Sequence, residues 1–195
     1  MRSLLPRYFL LLPAHPLSSL LQTPSLSFSL LLTSNNGLIV ISCVQGVAAA
    51  QPQRTVWCLD GDGAALMHLG TQTVSAALGL TNLKHVLLNN AVHDSVGGQP
   101  TSASQGAEPH VHTFSAVAKA VGYTSVVTAK TAEELQTALL NARANTLGPV
   151  FIEAMLSLGT RKDLGRPKTS TSDSKASFMG HLATTDGMHS KLRST

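Results

Sequence analysis

Val56-Trp57-Cys58-Leu59-Asp60-Gly61-Asp62-Gly63 is the stretch on which the reading of this chain turns. Its first four residues are apolar, as in a strand buried on both faces, and Gly61-Asp62-Gly63 closes the run with a turn. A second run of the same kind, His85-Val86-Leu87-Leu88, closes with Asn89-Asn90, and 25 residues separate Gly63 from Asn89. Working outward, residues 55–59, 84–88, 124–128 and 149–155 read as strands, and the stretches between them read as helices. Strands joined by crossover helices predict an α/β fold, a parallel sheet flanked by helices, with ligands at the carboxyl ends of the strands.

The helices differ in how clearly they are written. Residues 64–80 carry Leu66, Leu69, Val74, Ala77 and Leu78 at three- to five-residue intervals, with Gly79 as a stop. Residues 111–121 place Phe114, Val117, Ala118 and Val121 on one face and end at Gly122. Thr131 followed by Glu134 forms a capping box, which predicts a helix over residues 132–144 with Leu135, Ala138, Leu139 and Ala142 inward. Residues 91–108 form a polar loop with Gly97-Gly98, and a loop of that length in a compact domain is usually functional.

Both motif segments end strands, so the sheet delivers them to one edge. There an aspartate, an asparagine amide and a nearby backbone carbonyl, at about Val92, make a hard-oxygen set suited to Mg2+, whose remaining positions phosphate oxygens can fill. Glycines at such a turn let the backbone approach a phosphate closely.

The pair of motifs resembles the signature of the thiamine diphosphate (TPP) enzymes, a Gly-Asp-Gly and an Asn-Asn at about this separation. Three blocks narrow the likeness. Residues 56–68, 89–101 and 159–167 are similar to phosphonopyruvate decarboxylases, with sulfopyruvate decarboxylases as close relatives. The resemblance implies the thiamine-diphosphate-binding fold and specifically its diphosphate-binding domain. It implies that Asp62, Asn90 and the Val92 carbonyl hold Mg2+, and that Gly61, Gly63 and Ala64 meet the diphosphate through their backbone, with Asn89 as a further contact. His93 and Asp94 fall at the edge of the implied cofactor, where they either bind substrate and move a proton or only orient the loop. In the complete enzymes of this family, TPP adds to the carbonyl carbon of a 2-oxo acid, carbon dioxide leaves into the thiazolium electron sink, and protonation releases an aldehyde.

The sequence departs from the family at several points. The family usually has glycine where Ala91 stands. A Gly-Ser-Met-Gly-like loop that touches the cofactor is replaced here by residues 34–43. The family also carries a pyrimidine-binding domain whose glutamate activates TPP, and no acidic residue precedes Asp60. Residues 1–45 are therefore read as an unmatched Leu/Ser/Pro-rich segment, residues 46–182 as the TPP diphosphate-binding domain, and residues 183–195 as a disordered tail. Three readings follow: the cofactor-binding domain of a phosphonopyruvate-type decarboxylase, one subunit of a split sulfopyruvate-type decarboxylase, or a truncated and inactive TPP-binding fragment. The implied partners are a 2-oxo acid substrate, a pyrimidine-binding domain or subunit acting in trans, and a homo- or hetero-oligomeric assembly.

Composition adds limits. The net charge is +4, yet residues 46–182 hold ten basic against nine acidic residues, so the basic balance lies in the ends and no nucleic-acid partner is expected. Cys43 and Cys58 give neither zinc spacing nor a disulfide framework, and Cys58 reads as an inert buried thiol. Residues 1–45 have the composition of a transit or signal peptide, and equally of translated non-coding sequence upstream of a splice junction. A cytoplasmic location is expected, or a mitochondrial one if the segment is a true transit peptide. No membrane span is expected, because four prolines interrupt the first half of that segment and the apolar run at 37–50 is shorter than the ~20 residues a span needs. His110 and His112 read as ordinary loop histidines. Arg161, Lys162 and Arg166 suit either a phosphonate or a solvated basic end.

Overall fold

A computed structural model of the chain describes residues 27–29, 40–102, 113–159 and 169–183. Two compact units are present, Met1–Leu158 and Gly159–Thr195. The first unit begins with β1 (Ser27–Ser29), α1 (Val40–Ala50), β2 (Thr55–Gly61), α2 (Asp62–Met67), α3 (Thr71–Ala77) and β3 (Leu83–Asn89). A two-stranded hairpin follows, β4 (Val92–His93) and β5 (Gln99–Pro100), joined through a 3-10 turn at Asp94–Val96. It ends with α4 (Phe114–Ala120), β6 (Ser125–Ala129), α5 (Ala132–Ala144) and β7 (Val150–Met155). Five strands form one parallel sheet in the order β1-β2-β3-β7-β6. The expected parallel sheet flanked by helices is therefore observed.

Each central strand is apolar on both sides because both faces are covered. Side chains alternate between the faces along a strand. Trp57, Leu59, Val86, Ile152 and Ala154 pack with Leu135, Ala138, Leu139 and Ala142 of α5. Leu87 and Phe151 pack on the other face with Ala65 of α2, Phe114 and Ala118 of α4, and Tyr123. This second face also holds polar groups. His85 lies 3.5 Å from Asp60, meets Tyr123 at 3.5 Å from Nδ1 to the hydroxyl, and stands edge-on to Phe151. Burial drives the Tyr123 hydroxyl and the Cys58 thiol well above their ordinary values, and the charge of Asp60 adds to both. Cys58 is thereby inert, as expected for a buried thiol.

Several elements differ from expectation. The helix expected at 64–80 is two helices, broken at His68–Gly70, where the Thr71 hydroxyl and amide both donate to the His68 carbonyl, at 2.7 and 2.9 Å. Val74 and Leu78, two of the apolar residues that mark that spacing, are 47% and 56% exposed. Inside the expected loop at 91–108 lies the β4/β5 hairpin. In the second unit α6 (Thr171–Ala183) forms where no helix was read, opened by Ser170, whose hydroxyl accepts the Asp173 amide at 3.1 Å. In the replaced segment 34–43, residues 40–43 belong to α1, and 34–39 lie outside the described residues, as do residues 184–195 of the expected tail. No helix among the described residues is long and apolar enough to cross a membrane.

Helix α5 starts and stops where its signals stand. Thr131 caps it, accepting the Glu134 amide at 3.2 Å, while the Glu134 carboxylate reaches one residue further back than a capping box requires, to the Lys130 amide at 2.6 Å. Thr131→Ala is expected to lower unfolding stability by about 1 kcal/mol, read from urea denaturation.

Candidate cofactor site

The register of the sheet brings the two motif segments together. Gly61 pairs with Leu88, so the residues that follow, Asp62 and Asn89, leave the sheet side by side at its carboxyl edge. Asp62 opens α2 and is 3% exposed. Its Oδ2 accepts the Thr101 hydroxyl at 3.2 Å. Burial raises its carboxyl above the ordinary value, opposed by hydrogen bonds from the Gly63 amide, Thr101 and its own amide and by the charge of His93. The net effect is a carboxylate held out of water with too little positive charge around it.

Thr101 reaches Asp62 because the chain doubles back. Gly97 and Gly98 take positive φ, 108° and 73°, and let β5 pair with β4. The Gly98 amide donates to the His93 carbonyl and the Thr101 amide to the Ala91 carbonyl, both at 2.9 Å. The hairpin also sets the His93 imidazole directly on Gly63. A Cβ at position 63 would collide with Nδ1 of that ring, and its Cε1 would stand only 3.1 Å away. Gly63 is thus required sterically by His93. Gly61 is not: its φ of −88° is extended backbone, and a Cβ there meets nothing within 4 Å. Ala64 follows in α2, half-buried.

The two asparagines have separate tasks. Asn89 is buried, donates to Oε1 of Glu153 at 2.8 Å, and accepts the Ala91 amide on its Oδ1 at 2.9 Å. Its side chain is therefore engaged in the turn. Asn90 is half-buried, donates to Asp94 at 2.5 Å and accepts the Val92 amide at 3.3 Å. Asp94 is exposed and acts on the site by holding Asn90. The turn between them passes through Ala91 at φ 66°, the left-handed region that disfavours a residue with a Cβ.

Three contributors were not read from the sequence. Thr101 holds Asp62, Glu153 holds Asn89, and Ser115 holds Glu153 through its amide at 3.0 Å and its hydroxyl at 2.5 Å. Glu153 alone left a local trace, an acidic residue in the middle of the apolar run Val150–Met155. Among the described residues no three His, Cys, Asp or Glu side chains converge as a metal cluster, so a cation at this edge would take its protein charge chiefly from Asp62. His110, His112, Arg161, Lys162 and Arg166 lie outside the described residues.

Residues 39–154 match the family model of the thiamine pyrophosphate enzyme C-terminal TPP-binding domain, and the chain belongs to that family. Within it, the chain is similar to two phosphonopyruvate decarboxylases. The one from Streptomyces hygroscopicus is 45% identical over 123 residues, covering 63% of this chain and 29% of the relative. The one from Streptomyces viridochromogenes is 38% identical over 139 residues, covering 71% and 33%. The chain thus spans about a third of the length of these curated relatives or slightly less. A solved structure of a Mycobacterium smegmatis protein, provisionally assigned as a thiamin diphosphate-dependent enzyme, shares the fold at a TM-score of 0.50 and 20% identity, over 61% of this chain and 22% of that one.

Two outcomes follow. Ala91→Gly removes the left-handed strain and is expected to stabilise the protein by roughly 0.5–1 kcal/mol in urea denaturation, the gain being reduced by the freedom glycine has when unfolded. Because the Asp62 carboxyl is raised on folding, its contribution to stability is present below the ordinary value of 3.8 and is lost as pH rises through the folded value. Asp62→Asn removes that loss while keeping an acceptor for Thr101. The ligand-free variant is expected to gain stability over the parent progressively above about pH 4 in thermal melts.

Proposed function

We propose that this chain binds Mg-TPP at the carboxyl edge of the sheet, as the diphosphate-binding part of a 2-oxo acid decarboxylase of the phosphonopyruvate type. The observation that carries the reading is Asp62, a buried carboxylate fixed by Thr101 with, among the described residues, no cation in its set of contacts other than the His93 ring. A divalent ion supplies the missing charge, and carboxylate, amide and carbonyl oxygens are the ligand types Mg2+ takes. The residues present fit the group. Asp62 would be the charged ligand, with Asn90 Oδ1, now in a long contact with the Val92 amide, and the Val92 carbonyl as the neutral protein oxygens. The backbone of Gly61, Gly63 and Ala64 would meet the diphosphate, and the open space beside Gly61 leaves room for that approach.

When bound, the cofactor supplies the electron sink into which carbon dioxide departs. The chain's own part is to hold and orient. Asp94 fixes the Asn90 amide, and Asn89 fixes the turn that carries both. His93, half-buried over Gly63, is placed to touch a substrate at the edge of the cofactor and to exchange a proton there. No acidic residue among residues 1–59 can take the part of the glutamate that activates TPP in the family, so a pyrimidine-binding domain or subunit would supply it. Met67, Val74 and Leu78, apolar and 58%, 47% and 56% exposed on and beside α2 and α3, supply surface that such a partner would cover. The same need for a second half accommodates a split sulfopyruvate-type enzyme.

Calorimetry with TPP and Mg2+ tests the site. The parent is expected to give a saturable heat that disappears without Mg2+ and in Asp62→Ala, a loss of at least about 100-fold in affinity for a missing charged ligand. Equal heats from parent and variant would place the cofactor elsewhere.

A further inference from the structure

The opposite edge of the sheet holds a cavity of its own. There the amino ends of β2 and β3 and the carboxyl end of α5 enclose a cavity of about 190 Å3, lined among others by Arg54, Lys84, Arg143, Thr81, Asn82 and Thr146. Among the described residues no acidic side chain lines it, and Pro52 alone of those lining it has no polar side chain. A seven-residue strand is about 20 Å long, so this cavity is separated from Asp62 by the full length of β2.

Lys84 is the telling group. It is 1% exposed, one of the largest fully buried side chains in the protein. Its ammonium donates to the carbonyls of Thr81 and Asn145 at 2.9 and 2.8 Å. An ammonium has three N–H groups, so one remains with no acceptor among the described residues. Desolvation pushes its pKa down to about 8. Buried charges are normally paired, and two carbonyls do not supply a counter-charge. The two guanidiniums on the cavity wall are shaped to fork onto tetrahedral or planar oxyanions. At ~30 Å3 per water, the cavity has room for roughly six waters, which suits a small anion with part of its hydration.

We propose that this cavity is a binding site for a tetrahedral oxyanion, a phosphate- or sulfate-like group either free or at the end of a larger molecule, held by Lys84, Arg54 and Arg143 with Thr81 and Thr146 at its wall. The site is independent of Mg-TPP. It places an anion at the foot of the strands whose other ends carry the cofactor motif, and it completes the charge of a lysine that the fold has otherwise buried at a cost.

Titration of the full 15N-labelled chain with sodium sulfate, and separately with inorganic phosphate, in the absence of Mg2+ and TPP tests this, with sodium chloride as the control. Saturable amide shifts are expected at Thr81, Asn82 and Thr146, with none tracking the same curve at Asp62, Gly63 and Ala64. Arg143→Gln, at an exposed position, and Thr146→Glu, which sets a carboxylate at the exposed rim, are each expected to weaken binding roughly tenfold. Sulfate keeps its charge between about pH 7 and 9, so its affinity is expected to fall over that range as Lys84 loses its proton. Shifts that do not saturate, that match chloride or centre on residues 61–64, affinities equal in parent and both variants, or an affinity flat from pH 7 to 9 would each overturn the assignment. If phosphate binds and sulfate does not, the two oxyanions are told apart by the site and a phosphate-bearing molecule is its ligand. If both bind alike, the site reads tetrahedral charge alone.

Discussion

The hydrogen bond between Asn89 and Glu153 holds the carboxyl edge of the sheet together. Both residues are buried, and together they join three elements: Asn89 ends β3, Glu153 stands in β7, and the second carboxylate oxygen takes the amide and hydroxyl of Ser115 in the first turn of α4. The Asn89 carbonyl accepts the Leu156 amide at 2.7 Å as the chain leaves β7, and its side-chain oxygen fixes the Ala91 amide. The turn that carries Asn90, Val92 and His93 is therefore hung from a polar knot inside an apolar sheet. Removing one partner would leave a buried polar group unpaired, a cost of roughly 1–3 kcal/mol, and would release the turn as well.

The elements that were legible in the sequence are those whose signals are local. Short runs bounded by turns gave the strands β2, β3, β6 and β7 to within about two residues at each end, and β2, β3 and β7 stand out because a strand buried on both faces has to be apolar throughout. Helix α5 was legible at both ends, since Thr131 and the alternation of Leu135, Ala138, Leu139 and Ala142 act within one segment. Residues 64–80 were read as one helix because their apolar spacing is loose, and what divides them is a single threonine that spends its hydroxyl on the His68 carbonyl. Hydroxyl competition of this kind leaves almost no mark on hydropathy. The same is true of α6, whose start depends on the Ser170 hydroxyl rather than on any apolar stripe.

For the site, residue types were legible and partnerships were not. Asp62, Asn89 and Asn90 stand out because acids and amides at the ends of buried strands call for a reason. Their partners lie far off along the chain: Thr101 is 39 residues from Asp62, Glu153 is 64 from Asn89, and Ser115 is 38 from Glu153. The β4/β5 hairpin makes the first of those separations short in space, and the sheet order, with β7 inserted beside β3, makes the other two short. Sequence also assigned both glycines of the motif the same backbone freedom, whereas Gly63 alone is demanded by a neighbour, the His93 ring. That requirement is invisible until the hairpin places His93 there.

The two edges of the sheet are unfavourable to the ligand-free chain in opposite senses. At the carboxyl edge, Asp62 is a buried anion whose carboxyl is raised by desolvation, and Ala91 adds backbone strain beside it. At the amino edge, Lys84 is a buried cation whose ammonium is depressed by desolvation. A sequence free to maximise stability alone would replace both with groups that lose nothing on burial, since burying a charge without its counter-charge costs more than packing an apolar side chain of the same size. Each is retained where it can be offset by something that binds the folded state and not the unfolded one. Binding of that kind returns stability in proportion to the logarithm of ligand concentration over its dissociation constant. On the readings proposed above, full stability would depend on what occupies the two edges, a divalent cation at one and an oxyanion at the other, with the parallel strands between them setting the distance.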